Sequence, residues 1–277
     1  QSSSSSGARS SSIGLALKKE ELAAHVVGFS RHETSLKTAQ DMGAIDEGST
    51  DIRKAIAGAD LVVFAAPVKV ILEHIEDISK NLRRGCIVTD VGSTKAAIVD
   101  AAQKHFPPHV LFVGSHPMAG SEKSGIAHAQ ADLFKGATCL MTPTDKTNRL
   151  AKDKVKHLWE CLGAHVRTMG PHQHDEILAY VSHLPHLAAF ALIRAIPDDF
   201  LPYGSAGLKD TTRIAGSSAK MWTDICISNY RNVLKGIDEA VKSLSEVRKA
   251  VVDRDEQALM TFFNQARTKR EILEKKV

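Results

Sequence analysis

A chain of 277 residues is long enough for one large domain or two modest ones. Its 43% hydrophobic and 25% charged residues are ordinary for a globular fold; no apolar run of about eighteen residues predicts a transmembrane helix, and no leader-like apolar core opens the chain. A formal net charge of +4 is too small and too dispersed to predict nucleic-acid binding, and favours small anionic ligands instead.

Cys86, Cys139, Cys161 and Cys226 form no CxxC pair. This excludes a disulfide framework and a thiolate zinc site, and predicts a cytoplasmic location. Up to residue 170, short apolar runs alternate with amphipathic ones. Strands are predicted at 25–29, 60–65, 86–90, 110–114, 137–142 and 165–169. They are mostly apolar, as strands buried on both faces tend to be. Helices are predicted at 13–24, 33–42, 51–57, 69–81, 94–104 and 147–162. The alternation predicts an α/β fold, a doubly wound, mostly parallel Rossmann-type sheet. From Pro171 onward strand signals vanish. Helices are predicted at 172–195, 220–252 and 255–274, the last burying Leu259, Phe262, Phe263 and Ala266. Residues 1–170 thus read as a dinucleotide-binding domain and 171–277 as an all-helical domain. Helices this long have too little core of their own, which predicts a homodimer through the helical part.

A doubly wound sheet holds a dinucleotide at its first βα turn, where glycines let backbone N–H groups approach the diphosphate. That turn belongs just before Ile13, yet the residues there are Ser-rich and carry no GxGxxG. Either the native strand is missing, or the serines stand in for other residues, or nucleotide binding has been lost. A central strand is hard to omit, so residues 2–12 are expected to trace a strand and turn, with Gly7 and Ser12 against the cofactor. After the second strand come Ser30 and Arg31, with no carboxylate at the tip. An acidic residue there suits NAD, whereas a guanidinium suits the 2′-phosphate of NADP, so both cofactors stay open.

Ligands gather beyond the carboxyl ends of such strands. Ala66 and Pro67 follow one strand, Ser93 another and His116 a third. Ser93 and Thr94 could equally cap the next helix, and the glycines and prolines could simply build turns. Together, however, Asp90-Val91-Gly92-Ser93-Thr94-Lys95, Gly114-Ser115-His116-Pro117-Met118-Ala119-Gly120, Ser182-His183-Leu184-Pro185-His186 and Lys209-Asp210-Thr211-Thr212-Arg213 resemble the prephenate/arogenate dehydrogenase family of tyrosine biosynthesis. The likeness covers the chain from about Ile13 to its end. It departs at the glycine turn and at Gly207-Leu208, where the family has a longer glycine run.

The resemblance implies oxidative decarboxylation of prephenate to 4-hydroxyphenylpyruvate with hydride transfer to NAD or NADP. Arogenate as substrate is one alternative, and a non-catalytic ligand-binding relative another. It implies His116 as the group that takes the proton of the C4 hydroxyl. Ser93 shares that hydroxyl, holds His116 in place and contacts the cofactor beside Ala66 and Pro67. Arg213 binds a substrate carboxylate, a task suited to its planar fork. Ser182, His183 and His186 line the substrate side, a cationic His186 suiting prephenate, and Glu122 gates or orders the site. Among 13 histidines, His172/His174 and His183/His186 have ligand spacings but no accompanying cysteine or carboxylate cluster, so no functional metal is expected. Trp159 and Trp222 read as packing residues.

Overall fold

The computed structural model describes residues 5–119 and 125–274. Its elements in chain order are α1 (Ser5–Lys19), β1 (Val27–Phe29), α2 (Glu33–Asp41), β2 (Glu47–Ser49), α3 (Ile52–Ala55), β3 (Leu61–Phe64), α4 (Val68–Ile78), β4 (Ile87–Asp90) and α5 (Ala96–His105). Then follow β5 (Leu111–Pro117), β6 (Thr138–Thr142), α6 (Arg149–Cys161), β7 (His165–Thr168) and α7 (Pro171–Leu178). A π-helical turn, Ala179–His183, joins α7 to α8 (Leu184–Ala195); α9 (Ala206–Thr212), α10 (Ala219–Ser228), α11 (Tyr230–Asp253) and α12 (Glu256–Glu274) complete the chain.

Five strands pair in the order β3-β4-β5-β6-β7, all parallel except the β5–β6 pair. Successive residues of a strand face opposite sides. On β4, Ile87 joins a core with Ile13, Leu17, Met141, Val155 and Trp159, while Val88 joins another with Ile71, Ile75 and Ile98. Helix α4 supplies its stripe at three- and four-residue spacing, Val68, Ile71, Ile75 and Ile78, all buried. Each such side chain contributes about 1.5–3 kcal/mol through burial. The expected mostly parallel, helix-covered sheet followed by helices is therefore present.

The expectation for residues 2–12 fails. From Ser5 the chain is already helical and runs unbroken to Lys19. Residues 7–12 hold no β-branched or aromatic side chain that would favour a strand. Extending an existing helix from Ile13 needs no new nucleus. Helix α1 sits close on the next turn, since a Cβ at Gly14 would lie 2.1 Å from the Ala44 carbonyl oxygen. A continuous doubly wound sheet needs a strand between β1 and β3. Here β1 and β2 instead form a separate parallel pair, registered Val27 to Glu47.

Other differences are local. β2, with sequence Glu47-Gly48-Ser49, has no apolar run to announce it and exists by pairing with β1. β5 extends past the predicted Gly114 to Pro117, because residues 114–117 pair with β6. His116 therefore lies on a strand, not in a loop after it. The predicted helix 220–252 breaks at Asn229, between α10 and α11. No residue of α12 is fully buried, and Phe263 is 58% exposed, against the expected burial of Leu259, Phe262, Phe263 and Ala266. The stretch Pro171–Ala195 is long and apolar enough by composition to cross a membrane, contrary to the reading that none is. It nevertheless carries three buried polar side chains, His174, Asp175 and His183, that are hydrogen-bonded within the protein. The chain forms two compact units, Gln1–Tyr230 and Arg231–Val277.

Candidate active site

The site is built on the ends of β4 and β5. Asp90 closes β4 fully buried, and its carboxylate accepts from Gly92 N (2.8 Å) and Ser115 N (3.2 Å). Lys95, also fully buried, forms an ion pair with Asp90 and donates to the Ser115 carbonyl (2.8 Å). Burial lowers the Lys95 pKa, while Asp90 opposes that shift. Thr89 and Ser115 share a hydroxyl hydrogen bond of 2.9 Å across the two strands. Thr94 reaches Ser228 on α10 at 2.9 Å. The Asp90–Lys95 segment is thus a clamp that fixes the turn bearing Ser93 and the strand bearing His116.

His116 is 7% exposed. Its Nδ1 lies 2.9 Å from Nε2 of His174, whose own Nδ1 lies 2.8 Å from Asp175 Oδ1. The expectation that Ser93 holds His116 is not met at this nitrogen, because His174 occupies it. Burial, followed by unfavourable electrostatic interaction with His174, Lys95 and Arg9, holds the His116 pKa well below its ordinary value. The imidazole is therefore neutral at neutral pH and available as a base.

The helical wall carries the other residues. His183 is buried, and Asn229 Nδ2 donates to its Nδ1 (3.3 Å) and to the Asp175 carbonyl (2.7 Å). Burial lowers the His183 pKa to about 4. His186 is half-buried; its Nδ1 donates to the Ser182 carbonyl (2.8 Å), and its ring stacks on Trp222 at 4.0 Å and 29°. Burial first, then Arg213, lowers the His186 pKa, with Ser182 opposing. The lowered pKa disfavours the cation expected at His186. Trp222, read from sequence as packing, is the platform beneath it. Arg213 is exposed and its field reaches His186. Ser182 contributes its carbonyl to this contact. Glu122 lies outside the described residues.

Ser93, Ala66 and Pro67 line one cleft together with Arg9, Gly92 and Met221. These strand-end residues fit the edge of a dinucleotide. The first turn does not fit its diphosphate. Gly7 and Ser12 lie within α1, and the buried Ser12 hydroxyl accepts from Gln130 N (2.9 Å) instead of facing a ligand. Arg9 donates to the Val91 carbonyl (3.1 Å), and its Nε has no partner among the described residues. Ser30 accepts from His32 N (3.2 Å), and Arg31 is exposed beyond β1. Among the described residues no three metal-ligating side chains converge.

A family model described as "Prephenate dehydrogenase, nucleotide-binding domain" matches residues 13–168, and one described as "Prephenate dehydrogenase, dimerization domain" matches residues 170–265. The chain belongs to the prephenate dehydrogenase family. Prephenate dehydrogenase of Bacillus subtilis (strain 168) is 33% identical over 267 residues, 94% of this chain and 72% of that protein. A crystal structure of prephenate dehydrogenase from A. aeolicus, in complex with hydroxyphenyl propionate and NAD+, matches with TM-score 0.87 at 33% identity, covering 95% of this chain and 94% of that one. Synechocystis arogenate dehydrogenase matches with TM-score 0.78 at 26% identity, covering 94% and 95%.

As a prephenate dehydrogenase family member the chain is an NAD(P)-dependent oxidoreductase. The family match starts at Ile13, past the Ser-rich residues that fail to form the turn. Sequence reasoning named His116, Ser93, Arg213 and His186 as candidates but did not connect His174 and Asp175 with His116. The one available signal was His174-Asp175, a histidine beside a carboxylate two turns before the Ser182–His186 segment.

Proposed function

We propose that the chain oxidatively decarboxylates prephenate to 4-hydroxyphenylpyruvate, with His116 as the base. The observation that carries this reading is a buried imidazole at the end of β5, its Nδ1 held by His174. His116 Nε2 takes the proton of the C4 hydroxyl as the C4 hydrogen leaves as hydride. The electron pair of the breaking C1–carboxylate bond flows through the ring to the C4 oxygen. That oxygen then recovers the proton from His116, leaving a phenol and carbon dioxide. A bound nicotinamide dinucleotide supplies the hydride acceptor, and Ala66, Pro67 and Ser93 are the residues suited to its edge. Ser93 orients the C4 hydroxyl. Arg213 pairs with a substrate carboxylate, a charge-assisted contact of about 1.5–3 kcal/mol. Ser182, His183 and His186 form the substrate wall.

The lowered His186 pKa removes the ground for preferring prephenate to arogenate at that residue. Turnover of each compound with NAD and with NADP, followed by dinucleotide absorbance and carbon dioxide release, tests both readings. Turnover of neither compound overturns the catalytic assignment. Exposed Arg31 and the absent carboxylate leave NADP as fitting as NAD.

The division at residues 170 and 171 separates sheet from helices and is retained as the functional one. A homodimer through the helical part follows from the exposed apolar side chains Val181, Leu192, Ile227, Leu244 and Phe263. Sedimentation as a monomer at micromolar concentration contradicts it. Four free cysteines suit a reducing cytoplasm.

A further inference from the structure

We propose that His174 and Asp175 form a positioning relay that holds His116 in the single tautomer able to act as a base. The inference rests on His116 being that base. Its own ground is an accounting of hydrogens across three buried side chains.

Asp175 Oδ1 accepts from Lys95 N (2.7 Å), and Oδ2 accepts from Ala96 N (3.0 Å), both at the start of α5. A carboxylate engaged by two backbone donors can only accept from a third partner. His174 Nδ1, 2.8 Å from Oδ1, must therefore carry its hydrogen. Burial lowers the His174 pKa, with Asp175 opposing, so the ring is neutral and its Nε2 is bare. A bare Nε2 at 2.9 Å from His116 Nδ1 requires the hydrogen to sit on that Nδ1. His116 Nε2 is then left without a hydrogen, as a base must be. Were the hydrogen on Nε2, the same residue would be an acid toward the C4 hydroxyl.

The relay also answers an electrostatic problem. His116 lies in a positive field from Lys95 and Arg9, so taking up a proton is opposed. The imidazolium formed in the reaction donates through Nδ1 to His174, which is polarised in turn by Asp175. No proton has to travel along the chain. Asp175 is fixed from three sides, by two backbone N–H groups of the α5 start and by Asn229, which donates to its carbonyl. The relay thus ties the base to the clamp of Asp90 and Lys95 through the same α5 terminus.

The test needs one readout independent of turnover. In protein labelled with 15N-histidine, with the His116 signals assigned by their loss in His116→Asn, His116 is expected as the neutral Nδ1–H tautomer. His174→Phe should shift it toward Nε2–H. The same substitution should cut kcat by up to the roughly 10²–10⁴-fold that general-base assistance is worth, with KM within about twofold. His174→Gln, which can accept from His116 and donate to Asp175, should restore most of the rate. An Nε2–H tautomer in the unaltered protein overturns the relay, as does an unchanged tautomer and kcat in a folded His174→Phe. If His116→Asn leaves turnover intact, the base assignment fails instead, which separates the two outcomes.

Discussion

Replacing Lys95 by Met tests whether the Asp90–Lys95 clamp holds the site. Both side chains are fully buried, so solvent screening does not discount their interaction. Met keeps the aliphatic stem and fills the volume, so no large cavity opens. Asp90 retains the Gly92 and Ser115 amides but loses its counter-charge, and the Ser115 carbonyl loses a donor. Removing one partner of a buried pair costs about 3–5 kcal/mol, because a charge is left uncompensated. At about 2–4 °C per kcal/mol for a chain of this order, Tm should fall by roughly 6–20 °C at a fixed scan rate. The double variant Asp90→Asn/Lys95→Met should recover part of the loss, since no charge then remains buried. Calorimetric or circular-dichroism melting reads all three proteins. A Lys95→Met variant melting within a degree or two of the parent refutes the view that this pair supports the fold around Ser93 and His116.

His116→Asn should lower kcat by about 10²–10⁴-fold while leaving dinucleotide binding, measured by calorimetry, unchanged; loss of binding alone would point to a cofactor role instead. Because burial depresses the His116 pKa, the neutral base persists as pH falls, so kcat should stay level from pH 8 to well below 6.5. An acid limb at or above pH 6.5 contradicts the site electrostatics. His183 has its pKa lowered from 6.5 to about 4 by burial. The unfolded chain therefore binds this proton first, and the stability tied to a neutral His183 is present above pH 6.5 and lost as pH falls toward 4. The loss is at most about 3 kcal/mol, and His183→Gln should flatten that part of a stability–pH curve. Arg213→Ala should raise KM for substrate by roughly 10–100-fold, as expected for loss of a charge-assisted contact, with dinucleotide affinity intact; an unchanged KM removes Arg213 from the carboxylate.

Much of the architecture was legible because burial leaves a local record. β4 reads as a strand since Ile87 and Val88 both face cores, and α4 reads as a helix since its isoleucines recur at helical spacing. β2 left no such record, for Glu47-Gly48-Ser49 is polar and paired only through its backbone. His116 was recognisable from its neighbours along the chain. Its partners His174 and Asp175 lie about sixty residues away and declare themselves only when α7 meets β5 and α5. His186 looked cationic in isolation, yet burial, and then Arg213, lowers its pKa.

The Ser-rich N-terminus shows the opposite dependence. Topology asked for a strand there, while local chemistry, without a β-branched residue and continuous with a good helix, made residues 5–12 helical. The sequence by itself determined the layer architecture and the family, because periodicity and contiguous motifs are local. Only the tertiary structure decided which side chains meet His116, which histidines are buried and where the central strand fails to form. Those properties depend on burial and on hydrogen-bond partners brought together from distant parts of the chain.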